Sequence, residues 1–364
     1  MMNFTKEQID LLFLILRTNS PSGHEHQMIS TIGQYMSSFC DISTDSIGNL
    51  YMKVGPEDGL KIMITAHSDE VGMQVTYVDK FGYVYARDVA SVDKQTLPGS
   101  IVVALTHDGE IYGVIVKKSP HILDSKEKDK IFNIQDLWID FGFDSQNEAL
   151  KHIKCGDYIT LASTPQLTSN GNRIISKALD NKIGVFVLVE VIKRLCKLSL
   201  PISVVGVVTT QEELGCRGSI VASNRVQPDV AFCIDVGIAT DIPSMSSTQY
   251  GELKLGKGVG LIRNANNNEI LLDRIKSTAE QNHIPIQTIA GYRPTGGTEA
   301  AMIQLSNQGV ATANICIPNR YMHSLVEMCD LRDVMYSIDL LSAQIEELRL
   351  MKKSQFNMYN SSFN

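Results

Sequence analysis

The sequence lacks the features that mark membrane-spanning and secreted proteins. Among its 364 residues, no apolar run approaches the ~18 residues needed to cross a bilayer. The first seven residues lack the basic start and the small-residue cleavage site of a signal peptide. The seven cysteines form no C-x-x-C pair, and their odd number fits reduced thiols better than a disulfide framework. We therefore expect a cytoplasmic protein with neither signal peptide nor membrane span.

Basic charge and aromatic rings are also scarce. The net charge is -7 and the acidic and basic residues are interspersed, so the chain lacks the basic face that nucleic-acid binding requires. One tryptophan and scattered tyrosines provide few rings for stacking on sugars. The remaining composition, 43% apolar and 20% charged, is that of an ordinary soluble globular protein. Its length favours two domains.

The character of the chain changes twice along its length. Between Glu70 and Pro165 the sequence consists of short apolar strands separated by Gly and Asp-Gly turns, which predicts an inserted small all-β barrel or sandwich. Residues 1–69 and 166–364 predict a discontinuous α/β domain with a mixed, largely parallel sheet flanked by helices. Its first helix is predicted over Lys6 to Arg17, capped by Thr5, and its last helix from about Asp330 to Leu350.

Four apolar runs lead into residues that can bind a metal or move a proton. The runs, with the polar residues that follow them, are 60–66 with His67, 202–210 with Glu212 and Glu213, 230–234 with Asp235, and 311–317 with His323. In an open α/β sheet, ligands bind just beyond the carboxyl ends of the strands. Four such endings in one chain predict a single polar centre at one edge of a buried sheet.

Taken one at a time, these residues leave alternatives open. His67 and Asp69 suit a metal ligand with a supporting carboxylate, but also a surface loop with a helix-capping Asp. Asp180 begins an apolar helix, where it is either an N-cap or a carboxylate bridging two cations. Asp235 closes an apolar run and, if buried, needs a partner. His323 is either a structural histidine or a ligand.

The adjacent acids Glu212 and Glu213 repel each other and would gain from a nearby cation. On an extended strand their side chains would point in opposite directions, so one could ligate a metal while the other reaches its water. The alternative is a solvated loop. Cys216, close to them in sequence, has no local histidine partner, and we interpret it as a small loop residue rather than a nucleophile.

Together these residues form a set whose charges balance. Three carboxylates and a bridging hydroxide would neutralise two divalent cations. Nitrogen and oxygen ligands without thiolate suit zinc, cobalt or manganese. The candidate ligands are His67, Asp180, Glu213, Asp235 and His323.

Eight motifs spread over about residues 6 to 350 carry a family resemblance. They are Pro21-Ser22-Gly23 with Glu25, the run 66–72, Leu97-Pro98-Gly99, Pro120-His121-Ile122-Leu123, 177–180, 211–215, 296–300 and 320–324. With these motifs the chain resembles the tetrahedral glutamyl-aminopeptidase-like family of dinuclear metallo-aminopeptidases, which includes deblocking aminopeptidases. The resemblance implies a hollow tetrahedral dodecamer in which the inserted β domain carries oligomer contacts.

The resemblance also implies a role for each candidate residue. It places His67 and Asp235 on one metal, Glu213 and His323 on the other, Asp180 between the two metals, Glu212 as general base and acid, and Asp69 as the group that orients His67. The chain departs from the family at three positions. Asn181 and Lys182 stand where Asp and Arg are usual, and Glu299 stands where Asp is usual. These departures concern substrate preference, pocket shape and catalytic rate more than metal binding.

The expected activity is removal of N-terminal residues from peptides with a free α-amine. It would use two divalent metal ions, zinc first among the candidates, a metal-bridging water, and Glu212 as proton carrier. Three alternatives stay open. One is another dinuclear amidohydrolase, a deacylase or carboxypeptidase. The second is an endoglucanase, because relatives have carried that label. The third is a metal-stabilised scaffold without catalysis, raised only by Asn181 and Glu299.

Overall fold

The computed structural model describes residues 4–122, 124, 132–291 and 297–356. Leu123 and Gly296, which belong to two of the motifs above, lie outside these residues. Within them, no helix is long and apolar enough to cross a membrane.

Seventeen strands occur in the described residues. In chain order they are β1 (Asp41–Thr44), β2 (Leu50–Val54), β3 (Lys61–His67), β4 (Gly72–Val78), β5 (Val84–Val89), β6 (Ile101–Thr106), β7 (Gly109–Val116), β8 (Trp138–Asp140), β9 (Tyr158–Leu161), β10 (Gln166–Leu167), β11 (Arg173–Ser176), β12 (Ser203–Thr209), β13 (Val230–Ile238), β14 (Val259–Ile262), β15 (Ile286–Ile289), β16 (Ala311–Arg320) and β17 (Glu327–Asp330).

The α-helices of the same residues are numbered likewise. They are α1 (Lys6–Arg17), α2 (His26–Met36), α3 (Gln146–His152), α4 (Leu179–Leu195), α5 (Arg217–Val226), α6 (Ser247–Tyr250), α7 (Glu269–Gln281), α8 (Glu299–Ile303) and α9 (Leu331–Leu348).

The predicted α/β sheet is confirmed and has eleven strands. Its main path runs β1-β2-β12-β3-β13-β16-β17-β11-β10, and β14 joins β16 to β15. The four central strands β12, β3, β13 and β16 are mutually parallel, so their carboxyl ends lie at one edge. These strands are the four apolar runs of the sequence.

Helices cover both faces of this sheet. Helix α4 packs on β3 and β13 and against α1 and α9, within the larger apolar core. Helices α5 and α8 cover the opposite face over a smaller core. Every residue of β12 is buried, as expected for a parallel strand covered on both faces. The double cover explains why these strands read as continuous apolar runs rather than as alternating patterns.

The inserted region folds as a closed antiparallel barrel in the order β4-β5-β8-β7-β6-β9. It has an apolar core of its own, built around Met73, Val84, Val102 and Ile159. The predicted small β domain is therefore confirmed as a barrel. The short strand β8 and helix α3 were not predicted from the sequence.

The predicted helix ends also agree with the structure. Thr5 caps α1 by accepting a hydrogen bond from the backbone N–H of Gln8, and the side-chain oxygen of Gln8 accepts one from the backbone N–H of Thr5. Asp330 caps α9 by accepting from the N–H of Arg332. Local side-chain chemistry thus fixed the first and last helices of the α/β domain.

Candidate metal centre

The polar residues that follow the four central strands meet at the carboxyl edge of the sheet. His67 is the last residue of β3, and its register partner Thr209 ends β12, just before the two glutamates. Asp235 lies within β13, which continues to Ile238 beyond the predicted strand end. His323 follows β16. These residues therefore lie at or near the carboxyl ends of adjacent parallel strands.

Asp180 lies between the two histidines. One carboxylate oxygen, Oδ1, is 3.2 Å from Nε2 of His67, and the other, Oδ2, is 3.3 Å from Nε2 of His323. Asp180 stands near the start of α4 and has non-helical backbone angles, as does Asn181. The two carboxylate oxygens of Asp180 face two different imidazoles.

Nitrogen and oxygen donors cluster on both sides of Asp180. Three groups have donor atoms within 4.8 Å of one another: His67 with Asp180 and Asp235, His67 with Glu212 and Glu213, and Asp180 with Glu213 and His323. Divalent cations of the zinc, cobalt and manganese type accept imidazole and carboxylate ligands. The residues present therefore fit metal ions, and no thiolate competes within these groups.

Both histidines are oriented by acceptors behind them. Nδ1 of His67 lies 3.2 Å from the backbone carbonyl oxygen of Asp69 and 3.4 Å from its carboxylate. Nδ1 of His323 lies 2.9 Å from the carbonyl oxygen of Ser91. Because these oxygens can only accept, each Nδ1 carries a proton and donates it. Each Nε2 then faces the carboxylates of the centre and is the nitrogen that would ligate a metal, the arrangement usual for ligating histidines.

Asp69 also supports the loop that carries the two glutamates. Its carboxylate accepts hydrogen bonds from the backbone N–H groups of Glu212 and Glu213, at 3.0 and 3.1 Å, and from the hydroxyl of Ser22. The glutamates lie in a turn beyond the end of β12. The premise of opposed side chains on an extended strand is therefore wrong. The turn directs both carboxylates to the same centre.

The family model for M42 glutamyl aminopeptidases matches residues 48–340. The chain belongs to the M42 glutamyl aminopeptidase family. It is 32% identical over 347 residues to the lysyl aminopeptidase of Pyrococcus furiosus, covering 94% of this chain and 98% of that protein. Membership makes the protein a peptide hydrolase, and the donor set is that of a metal-dependent one.

Solved structures of related enzymes share the whole fold. The TET aminopeptidase of the marine sediment archaeon Thaumarchaeota archaeon SCGC AB-539-E09 superposes with a TM-score of 0.91 at 32% identity, covering 96% of this chain and 99% of that one. The PhTET1-12s structure, described as a dodecamer, has a TM-score of 0.84 at 30% identity and covers 93% and 98%. The resemblance seen in the motifs is thus confirmed over nearly the full chain.

The acidic side chains of this centre outnumber its histidines, the side chains that can carry positive charge. Burial raises the pKa of Asp235 to about 8, and the Asp180 carboxylate adds to the shift. Burial also raises the pKa of Glu212 well above its ordinary range, and His67 offsets this only in part. Burial alone would lower the pKa of His323, but its hydrogen bonds with Asp180 and Glu213 outweigh burial and raise the pKa to about 11. The crowded carboxylates lack positive charge, which divalent cations would supply.

Two buried glutamates outside the predicted set hold the centre in place. Glu327 accepts from the backbone N–H of Asp180 at 2.8 Å and from that of His323 at 3.0 Å. Glu25 accepts from the N–H of Gln211 at 3.0 Å, immediately before Glu212 and Glu213. Glu25 belongs to one of the family motifs, but no role was predicted for it. Nothing in the local sequence indicated a role for Glu327.

Two of the three departures from the family pattern, Asn181 and Lys182, make direct hydrogen bonds. The amide of Asn181 donates to the carbonyl of Ile234, next to Asp235, at 2.7 Å, a bond that an ionised Asp could not donate. Lys182 donates to the carboxylate of Glu70 at 2.8 Å. Glu299 is buried, and burial raises its pKa despite the nearby Thr209 and Thr65 hydroxyls. None of these three side chains enters the three donor groups.

Cys216 contacts one of the two glutamates. Its thiol donates to Oε1 of Glu212 at 3.2 Å. Burial raises the pKa of the thiol, and the Glu212 carboxylate raises it further, so the group remains protonated. A protonated thiol is a poor nucleophile, which agrees with the interpretation of Cys216 as non-nucleophilic. The contact with Glu212 itself was not foreseen.

Proposed function

We propose that the protein is a dinuclear metal-dependent aminopeptidase that releases N-terminal residues from peptides. The observation that carries this proposal is the position of Asp180, whose two oxygens each face a different imidazole. In this assignment Asp180 would serve both metals. His67 and Asp235 would hold one metal, and Glu213 and His323 would hold the other.

The chain's own groups divide the chemistry between them. Two divalent cations, zinc first among the candidates, would supply Lewis acidity that activates a water and polarises the scissile carbonyl. Glu212 accepts the proton of the attacking water on its carboxylate and returns it to the leaving amine. Asp69 keeps His67 and the Glu212 loop in position.

We further propose that residues 70–165 are an oligomerisation domain and residues 1–69 and 166–364 the catalytic domain. Exposed apolar side chains on adjacent barrel strands support this role, since Ile101 is the register partner of Val114, and Tyr112 lies on the same face. A tetrahedral dodecamer is the assembly we expect, by analogy with the dodecameric PhTET1-12s. The seven free cysteines support a cytoplasmic location.

A substrate comparison tests the aminopeptidase proposal. We expect hydrolysis of a peptide with a free α-amine, no hydrolysis of the same peptide after N-acetylation, and no release of sugars from carboxymethylcellulose. Elemental analysis of the purified protein should find two divalent metal ions per chain. Cleavage of the acetylated peptide would favour a deacylase, and chelator-resistant cellulose hydrolysis would favour the glycosidase alternative. Bound metal without turnover on any free-amine peptide would leave only the scaffold.

A further inference from the structure

A buried polar layer lies beneath the metal centre, one step further down the strands. Thr65 of β3 is the register partner of Cys233 of β13. Each of them stands two positions before a proposed ligand, which is His67 on β3 and Asp235 on β13. Side chains two positions apart on a strand lie on the same face. Thr65 and Cys233 therefore point to the same side of the sheet as the two ligands.

Glu299, the first residue of α8, covers this polar layer. Helix α8 packs on β13 and β16. The Glu299 side chain lies near the hydroxyls of Thr65 and Thr209, and its charge acts on the thiol of Cys233. Thr209 is itself the register partner of His67. The Glu299 carboxyl therefore lies beneath the metal centre and is not part of its three donor groups.

The Glu299 carboxyl has no hydrogen-bond partner among the described residues. Only 2% of the residue is exposed, and both carboxyl oxygens lack a partner in this part of the chain. The hydroxyl oxygens of Thr65 and Thr209 are likewise buried without one. A carboxyl that gives up its hydration without gaining hydrogen bonds destabilises a fold, so its presence requires an explanation.

Four other buried acids near the centre are explained by their partners. Asp69 and Glu25 accept backbone hydrogen bonds from the loop that carries the two adjacent glutamates. Glu327 accepts them from the backbone of two proposed ligands. Glu70 is paired with two lysines. Glu299 makes no such contact within the described residues, so neither backbone support nor an ion pair accounts for it.

The acids around Glu299 disfavour its charge. Burial raises the pKa of Glu299, the Asp69 carboxylate adds to the shift, and His67 offsets it only in part. Burial also raises the pKa of Asp235, and Glu299 contributes to that shift. No ammonium or guanidinium group of the described residues donates to Glu299. Divalent cations at the ligands above are the positive charge that would favour its ionised form.

We propose that Glu299 is an additional acid of the metal centre, which strengthens metal binding by its negative charge from the layer beneath the ligands without ligating either ion. The inference rests on the proposed dinuclear function, and it gives a role to a departure from the family pattern. It predicts opposite effects on two properties. Removing the charge should stabilise the metal-free fold and should weaken the attraction for cations.

Glu299→Gln is the main variant, because glutamine keeps the size of the side chain and removes its ionisable group. After removal of metal with a chelator, this variant should melt about 2 °C or more above the parent protein. Its affinity for zinc, measured by competition with a chromogenic chelator, should fall by about tenfold or more. A merely structural role predicts a lower melting temperature and an unchanged affinity. That result, or failure of the variant to fold, would overturn the inference.

Two further variants separate charge from shape. Glu299→Asp keeps a carboxylate on a shorter side chain and should retain the zinc affinity of the parent to within about threefold. Glu346→Gln matches the change in net charge at an exposed position on α9, where salt screens the charge, and should alter neither property. Equal losses in Glu299→Asp and Glu299→Gln would make side-chain shape the cause. An equal loss in Glu346→Gln would make net charge the cause, and either result would contradict the proposal.

The same measurements separate this inference from the proposed function. If the parent binds two zinc ions and Glu299→Gln binds them equally tightly, only the inference is wrong. If the parent binds no divalent metal, the dinuclear proposal is wrong and the inference fails with it. If the parent binds metal but cleaves no free-amine peptide, the aminopeptidase function is wrong, and the affinity difference between parent and variant still decides the role of Glu299.

Discussion

Two buried ionic clusters lie side by side in this protein and differ in charge balance. One is the metal centre, next to Asp69. The other begins at the following residue, Glu70, whose carboxylate pairs with Lys177 at 2.7 Å and with Lys182 at 2.8 Å. The second cluster is complete within the chain, because Lys177 also donates to Asn19 and Thr160, and Lys182 to a backbone carbonyl. The first cluster has more acids than cations.

The pKa values follow this difference. Burial alone would raise the pKa of Glu70, but the two ammonium groups outweigh burial and lower it to about 2. In the metal centre, burial and neighbouring carboxylates raise the pKa of Asp235 to about 8. The pKa values of these two acids thus shift in opposite directions, depending on whether counter-charges are present. The comparison teaches that a buried acid cluster without its own cations marks the functional site, whereas a completed cluster marks structural support.

Replacing the proposed base gives the largest expected effect. Glu212→Gln should lower kcat by about 10²- to 10⁴-fold, because the amide cannot accept the proton of the attacking water. Metal content, measured by elemental analysis, should stay at the parent value, since Glu212 is not a proposed ligand. Turnover at the parent rate would refute the assignment of the base.

Removing Glu70, the acid that pairs with Lys177 and Lys182, should lower stability rather than affect catalysis directly. Glu70→Ala leaves two buried ammonium groups without their counter-charge and should lower the free energy of unfolding by about 3–5 kcal/mol. Urea denaturation measures this. Glu57→Ala is the control, because Glu57 is exposed and its ion pair in the described residues is with the exposed Lys53. A small, equal change in both variants would show that the Glu70 cluster does not support the fold.

The pH dependence of stability tests the role of the Glu70 cluster in a second way. The folded pKa of Glu70, about 2, lies below the ordinary value of 4.5. Its contribution, roughly 3 kcal/mol, is therefore fully present above pH 4.5 and is lost as the pH falls from about 4.5 towards about 2. Urea denaturation at pH 5 and pH 3 should show a stability gap between the parent protein and Glu70→Gln that narrows at the lower pH. A larger stability difference between the two proteins at pH 3 than at pH 5 would contradict this prediction.

A substitution of Glu327 tests whether its hydrogen bonds hold the proposed metal ligands in position. Glu327→Gln replaces an acceptor oxygen by an amide that cannot accept from both backbone N–H groups, at Asp180 and His323. Metal affinity, measured by competition with a chelator, should fall by about 10- to 100-fold. Glu346→Gln, an exposed change on α9, is the control. Unchanged affinity in Glu327→Gln would mean that these hydrogen bonds do not position the ligands.

The smallest expected effect is at Cys216. Cys216→Ala removes a weak thiol donor to Glu212 and should change kcat by less than about tenfold, with a shift in the pH profile of kcat. Complete loss of activity with full metal content would instead make the thiol part of the chemistry.

Much of the fold and of the site could be predicted because the signals are local. The apolar runs had the length and composition of strands buried on both faces, and each led into a residue that can bind a metal. Thr5 and Asp330 carry the side-chain chemistry that begins a helix. Family motifs then placed His67, Asp180 and His323 in one set.

Contacts between distant segments could not be predicted. His323 is oriented by the backbone carbonyl of Ser91, 232 residues away, and a carbonyl leaves no trace in residue identity. Glu327 acts on backbone N–H groups as well. Glu212 and Glu213 were assigned to an extended strand because sequence periodicity does not reveal where a strand turns.

The sequence by itself determined which side chains are chemically able to bind metal, and that a buried parallel sheet carries them. Only the tertiary structure decided that Asp180 lies between two imidazoles, and that Glu70 has cationic partners while the neighbouring acids of the metal centre do not. The physical reason is that side-chain type and periodicity are properties of short segments. Charge balance and cavity shape depend on which segments the fold brings together.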